Sequence, residues 1–183
     1  MSGYVPTSLF STKGVGKHRE KLQSFEMALR HARIAQFNLV RVSSILPPHC
    51  RIIPRNRGVM HLRPGQIVHC VLYDHSTNEP HRLIAASVGI GIPKDPDQYG
   101  YLSEHKSNGQ AEKHAGDYAE DLAAEMLATT LGVQFDPAKA WNERKGTWTI
   151  SGEIVKTLNV TQSAVGDKHG LWTTVVAGAI FVP

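Results

Sequence analysis

Two adjacent hydroxyls, Ser43 and Ser44, stand at the end of the stretch Asn38-Leu39-Val40-Arg41-Val42 and just before Ile45-Leu46-Pro47-Pro48. A serine hydroxyl is a potential nucleophile, but a Ser-Ser pair at a strand end, taken bare, reads as a turn or cap. Other candidates fall away on inspection. Gly14-Val15-Gly16-Lys17 touches on a phosphate loop, yet Ser11 stands where a further glycine is required and His18 where a Ser or Thr is. Gly89-Ile90-Gly91 is two-thirds of a dinucleotide fingerprint, but Pro93 and Lys94 follow where a helix should open. It reads better as a strand whose small residues permit close packing. Of the ten histidines, His61, His69, His75 and His81 lie near Cys70 and Asp74 without zinc-ligand spacing. They are read as scattered surface imidazoles, and no metal is expected.

The elements that would position the serines can be read from periodicity. Apolar residues from Arg19 to Ala35 recur near a 3.6 period and predict an amphipathic helix. Asn38–Val42 alternates and predicts a strand. Pro47 and Pro48 end regular pairing there and force Leu46 into extended geometry. Further strands are expected at Ile67–Tyr73, Leu83–Ile92, Gly100–Ser103, Thr147–Val155 and Leu171–Val182, the second buried on both faces. A long helix is expected from about Gln110 to Leu131, with Asn108 as N-cap, Gly132 as stop, and Tyr118, Leu122, Met126 and Leu127 as its apolar stripe. Residues 1–18 read as a loose arm or one edge strand, and 19–183 as a single domain. No functional account attaches to Trp141–Trp148.

The 183 residues, 41% hydrophobic and 20% charged, suit a soluble globular chain of mixed α/β class. No run of about 18 apolar residues is present, so no membrane-spanning helix is expected. Met1–Gly16 shows no secretory signal, and two cysteines suit a reducing cytoplasm, the expected location. Charge is uneven. Residues 1–66 hold 11 Lys+Arg against two acids, a net of +9; residues 67–183 hold 9 against 14, a net of −5. Nucleic-acid binding enters as a hypothesis, but no aromatic-interleaved stripe accompanies the charge. Opposite-signed parts of one fold, or of neighbouring subunits, lying together is the simpler reading.

The segment 38–48 resembles the self-cleavage segment of the pyruvoyl-dependent arginine decarboxylases. The resemblance continues through Ile84–Asp95, Gly100–Gly109 with its glutamate, and the helix beginning near Ala111, covering most of Leu22–Leu131. It weakens after Gln134. It implies an α+β fold, a four-layer αββα sandwich, assembled as trimers or pairs of trimers with the active site at a subunit interface. It also implies that Ser44 attacks the carbonyl carbon of Ser43 to form an ester. β-Elimination would then split the chain into 1–43 and 44–183, leaving a pyruvoyl group at position 44 after loss of ammonia. That ketone would take an amino acid as a Schiff base and act as electron sink, in place of pyridoxal phosphate and without a metal.

By the same resemblance, Glu104 returns a proton to the former Cα, which requires burial to raise its pKa. Read bare, it is an exposed loop glutamate. Asn38 matches an asparagine close to the cleavage site, able to hold the pyruvoyl or scissile carbonyl; otherwise it is a strand-entry residue. Glu26 occupies the acidic position that faces the substrate guanidinium, though the family's usual residue there is aspartate, one methylene shorter. Its other reading is a solvated helix charge. Leu29 and Ile45 match positions lining the pocket. The expected activity is conversion of arginine to agmatine and carbon dioxide. The rivals are the same cofactor acting on aspartate or a diamino acid, and a non-catalytic basic binding protein.

Overall fold

In the computed structural model, which describes residues 4–132, 141–142, 147–150 and 153–183, eleven strands and three helices form four layers. The first sheet contains β1 (Ser8–His18), β2 (Asn38–Arg41), β4 (Arg51–Ile52), β5 (Ile67–Thr77) and β11 (Trp172–Val182), in the order β2-β5-β11-β1-β4. The second contains β3 (Ile45–Leu46), β6 (Leu83–Ile92), β7 (Gly100–Asn108), β8 (Trp141–Asn142), β9 (Thr147–Ile150) and β10 (Glu153–Val165), in the order β3-β7-β6-β10-β9-β8. Leu9, Val71, Val175 and Phe181 of the first sheet meet Leu46, Val88, Ile90 and Leu102 of the second in one core between the sheets. A second core, with Phe10, Ala28, Ile34, Val68 and Leu72, lies beneath α1 (Lys21–His31) and α2 (Arg55–Met60). Against the outer face of the second sheet packs α3 (Glu112–Thr130). The result is an α–β–β–α sandwich.

Residues 8–18 are no arm. They pair with β11 over eleven residues, from Ser8 opposite Val182 to His18 opposite Trp172, and bury Leu9 and Phe10 completely. The two glycine pairs set aside as nucleotide motifs are helix seats. A Cβ on Gly14 or Gly16 would come within 2.2 Å of the Ala28 or Ser24 carbonyl of α1. A Cβ on Gly89 would come within 2.1 Å of the Ala119 carbonyl of α3. So close an approach explains why the buried face of α3 is mostly alanine, Ala115, Ala119, Ala123, Ala124 and Ala128, with Leu127 alone kept from the expected stripe. Tyr118 and Met126 point outward, and Leu122 is only half-buried. Large side chains would hold the helix off the glycines. Two polar ties fix it further: Ser103 Oγ donates to the Ala119 carbonyl, and buried Glu120 accepts bonds from Thr157 and Asn159 of β10.

The ends of the helices show local chemistry. Gly132, at φ +70°, takes the left-handed conformation that stops α3, as the sequence implies. Asn108 instead ends β7 and bonds to His75, and Ala111 is the N-cap without a side-chain bond. The first helix stops at His31, short of Ala35, because Arg33 turns the chain at φ +64°. Opposite charges do lie together within the fold. Lys13 pairs with Glu112, Lys17 with Asp167, and Arg41 with Asp74. The expected strand at 147–155 appears as β9 and the start of β10, with 151–152 outside the described residues.

Gly89→Ala is expected to destabilise the protein by about 1–3 kcal/mol, because backbone of α3 must move. Thermal unfolding checks it. An unchanged melting temperature would contradict the close strand–helix contact.

Candidate active site

The chain passes from one sheet to the other at the two serines. On the near side, β2 runs parallel to β5, and the Val42 N–H still donates to the Cys70 carbonyl at 3.0 Å. On the far side, β3 pairs with β7, Ile45 opposite Tyr101 and Leu46 opposite Gly100. The prolines that follow stop β3 after two residues, as their missing N–H groups require. Between these anchors, the Ser44 carbonyl accepts the Leu102 N–H at 2.8 Å, and the Ser43 carbonyl accepts the Ile45 N–H at 2.9 Å. The second bond closes a three-residue turn centred on Ser44.

That turn matters chemically. The Ser43 carbonyl carbon is the atom that the Ser44 hydroxyl would attack, and a donated N–H draws electron density from it. Neither residue has a positive φ, so the turn holds no left-handed backbone strain. Ser43 is exposed and Ser44 half-buried.

Glu104 lies in β7, two residues beyond Leu102, and so in a strand rather than a loop. It stands opposite Val88, a residue of the core between the sheets, so its side chain points toward the first sheet. The residue remains exposed as a whole, but partial burial raises its carboxyl above the usual range, and the Arg41 charge opposes the rise. This is the direction a proton donor needs. The same physics disfavours the thiolate of both cysteines: burial lifts the thiols of Cys50 and Cys70 to about 11.

A cleft of about 460 Å3 opens beside this segment. Ser43 and Ile45 line it together with Val42, His69, Tyr4 and Phe181. The rings of Tyr4 and His69 stack at 5.9 Å. Sequence reasoning missed Arg41 and Tyr4 and set His69 aside as a surface imidazole, whereas it lines the cleft. Arg41 could have been noticed as the cation ending β2; nothing in the local pattern marks Tyr4.

Glu26, Leu29 and Asn38 do not join this group within one chain. Glu26 sits on α1, which packs on β1 and β11, and is paired with Arg30 at 2.5 Å. Leu29 is half-buried against the outer core. Asn38 begins β2 and donates from Nδ2 to the Gly65 carbonyl at 2.7 Å. Five residues of near-extended chain, roughly 16 Å, separate it from Ser43. An asparagine side chain cannot span that distance, so Asn38 does not hold the scissile carbonyl of its own chain. Among the described residues, no three His, Cys, Asp or Glu side chains gather as a metal site.

Comparison with known proteins extends over nearly the whole chain. A probable pyruvoyl-dependent arginine decarboxylase of Chloroherpeton thalassium is 59% identical over 180 residues, covering 98% of this chain and 99% of the relative. One from Chlorobaculum parvum is 57% identical with the same coverage. A pyruvoyl-dependent arginine decarboxylase 2 of Methanosarcina acetivorans is 54% identical over 178 residues, 97% of each chain. The similarity therefore includes the N-terminal strand and the last fifty residues, beyond the Leu22–Leu131 span that the motifs mark. The model of one protein family matches residues 8–183. With its two serines poised between sheets and that match across all four layers, this chain belongs to the pyruvoyl-dependent arginine decarboxylases.

Proposed function

We propose that the chain cleaves itself between Ser43 and Ser44 and then decarboxylates L-arginine to agmatine and carbon dioxide. The observation that carries this reading is the turn centred on Ser44, with its polarised Ser43 carbonyl at the crossing between two sheets. Ser44 Oγ adds to the Ser43 carbonyl carbon and the peptide nitrogen leaves, giving an ester. Loss of the Ser44 Cα proton expels the Ser43 carboxylate and leaves a dehydroalanine amine. Water then replaces ammonia, and a pyruvoyl group caps the chain 44–183. The residues present fit that group, because Ser44 is held by its carbonyl to Leu102 and its neighbours open onto the cleft. When formed, it supplies a ketone conjugated to an amide, which accepts the substrate amine and the electrons left by carbon dioxide.

The rest falls to side chains. Glu104, on the same strand as Leu102, delivers the proton to the substrate carbon. Ile45 and the apolar cleft walls exclude water and receive the aliphatic part of the substrate. Glu26 grips the guanidinium through paired hydrogen bonds, with Leu29 beside it. Since Glu26, Leu29 and Asn38 lie apart from Ser44 in one chain, a second protomer supplies them, in a trimer or pair of trimers. The exposed apolar side chains at the sheet edge, Val40 of β2 and Val42 just after it, support such an assembly.

Three outcomes test the reading. Ser44→Ala is expected to fold as one uncleaved chain with no activity; cleavage at the same bond would contradict the nucleophile. Glu104→Gln should lower kcat by about 10²–10⁴-fold. In the parent, kcat should fall as pH rises through the raised Glu104 pKa, because the donor must be protonated, and the variant should lose that limb. Turnover and pH profile unchanged would exclude Glu104. Glu26→Gln should raise KM for arginine by about tenfold or more, the cost of a charge-assisted pair. An unchanged KM would remove the guanidinium role.

A further inference from the structure

At the edge of the sandwich opposite β2 and β3, the sheets part to form a larger cleft of about 850 Å3. Four basic side chains converge on it from three elements: Arg51 of β4, Arg57 and His61 of α2 and its cap, and Lys156 of β10. Its floor is apolar, with Ile53 and Leu158. No aspartate or glutamate side chain lines it. Among the other cations in the first third of the chain, Lys13, Lys17, Arg30 and Arg41 each hold a carboxylate. Arg51, Arg57 and Lys156 have none among the described residues.

We propose that this cleft is a binding site for a multiply charged oxyanion of metabolite size, separate from the substrate cleft. Three permanent positive charges over an apolar floor repel one another and focus a positive potential into the concavity. A guanidinium fork matches the geometry of phosphate or carboxylate, so two arginines and a lysine suit a ligand carrying more than one negative charge. A monovalent anion would leave two of the cations unmatched. The volume lies in the range of small-molecule sites rather than of extended polymers. The cationic guanidinium of arginine would be repelled here, which separates this cleft from the chemistry at Ser44.

The wall includes Thr7 and Ser8 at the start of β1, and Ser8 pairs with Arg51. An anion bound here ties β4 and α2 to β1 and β10. It therefore raises thermal stability, logarithmically with free anion concentration above Kd, since the unfolded chain lacks the site.

The test is calorimetric titration of the purified full-length protein, at low ionic strength, with sodium tripolyphosphate and separately with citrate. The expected result is saturable binding of at least one of the two, one per chain, with a raised melting temperature. Which anion binds distinguishes a phosphate from a carboxylate ligand. Arg51→Gln/Arg57→Gln should weaken binding at least tenfold, and Lys156→Gln alone should weaken it measurably. Both variants should keep the parent melting temperature or exceed it without anion, because repulsion is removed. Binding of neither anion, equal affinity in the double variant, or the same effect from sodium chloride at matched ionic strength would overturn the proposal.

Discussion

The covalent link between the two sheets at positions 43–44 is held at both ends by backbone hydrogen bonds, Val42 to Cys70 on one side and Leu102 to Ser44 on the other. Fixing both flanks leaves the short crossing little freedom, so the Ser44 hydroxyl and the Ser43 carbonyl stay neighbours instead of sampling the many conformations of a loop. A scissile bond placed there can break without dismantling the fold. A piece 1–43 would carry β1, α1 and β2, and the eleven-residue ladder between β1 and β11 would keep it in place. Leu9 in the inner core and Phe10 in the outer core add burial on both faces of that strand. The same ladder explains why the N-terminal segment belongs to the domain.

Much of this arrangement is legible in the residues. Alternation gives β2, and the unbroken small and apolar run Leu83–Ile92 gives β6 to the residue. The Ser-Ser pair before two prolines marks the crossing once its wider context is matched. Other parts were hidden for physical reasons. The buried face of α3 is written in alanines, which a search for large apolar residues overlooks, and its logic sits in Gly89 on another strand. Glu104 continues a strand whose later residues, Glu104 to Asn108, are too polar to be read as one. The separation of Asn38 and Glu26 from Ser44 depends on strand direction and sheet order, which no local pattern encodes.

Charge follows a similar division. The excess of positive charge in the first third is met partly within the chain, by Glu112, Asp167 and Asp74. In Glu112, burial pushes the carboxyl up, but the bonds and charge of Lys13 together with Ser163 hold it below the usual range. Arg51 and Arg57 of the first third lie, with Lys156, at the cleft between β4 and β10, at the edge of the sandwich away from the crossing. The fold thus places Glu104 and the Ser43–Ser44 crossing toward one edge of the sandwich and Arg51, Arg57 and Lys156 at the other.

The mass of the purified wild-type protein tests the central claim most directly. Two fragments meeting between Ser43 and Ser44 are predicted, the larger lighter by about 17 Da than a serine-terminated chain because ammonia is lost. It should also gain mass with a carbonyl reagent. A catalytically active preparation consisting of one intact chain, with residue 44 an ordinary serine and no reactive ketone, would contradict the account.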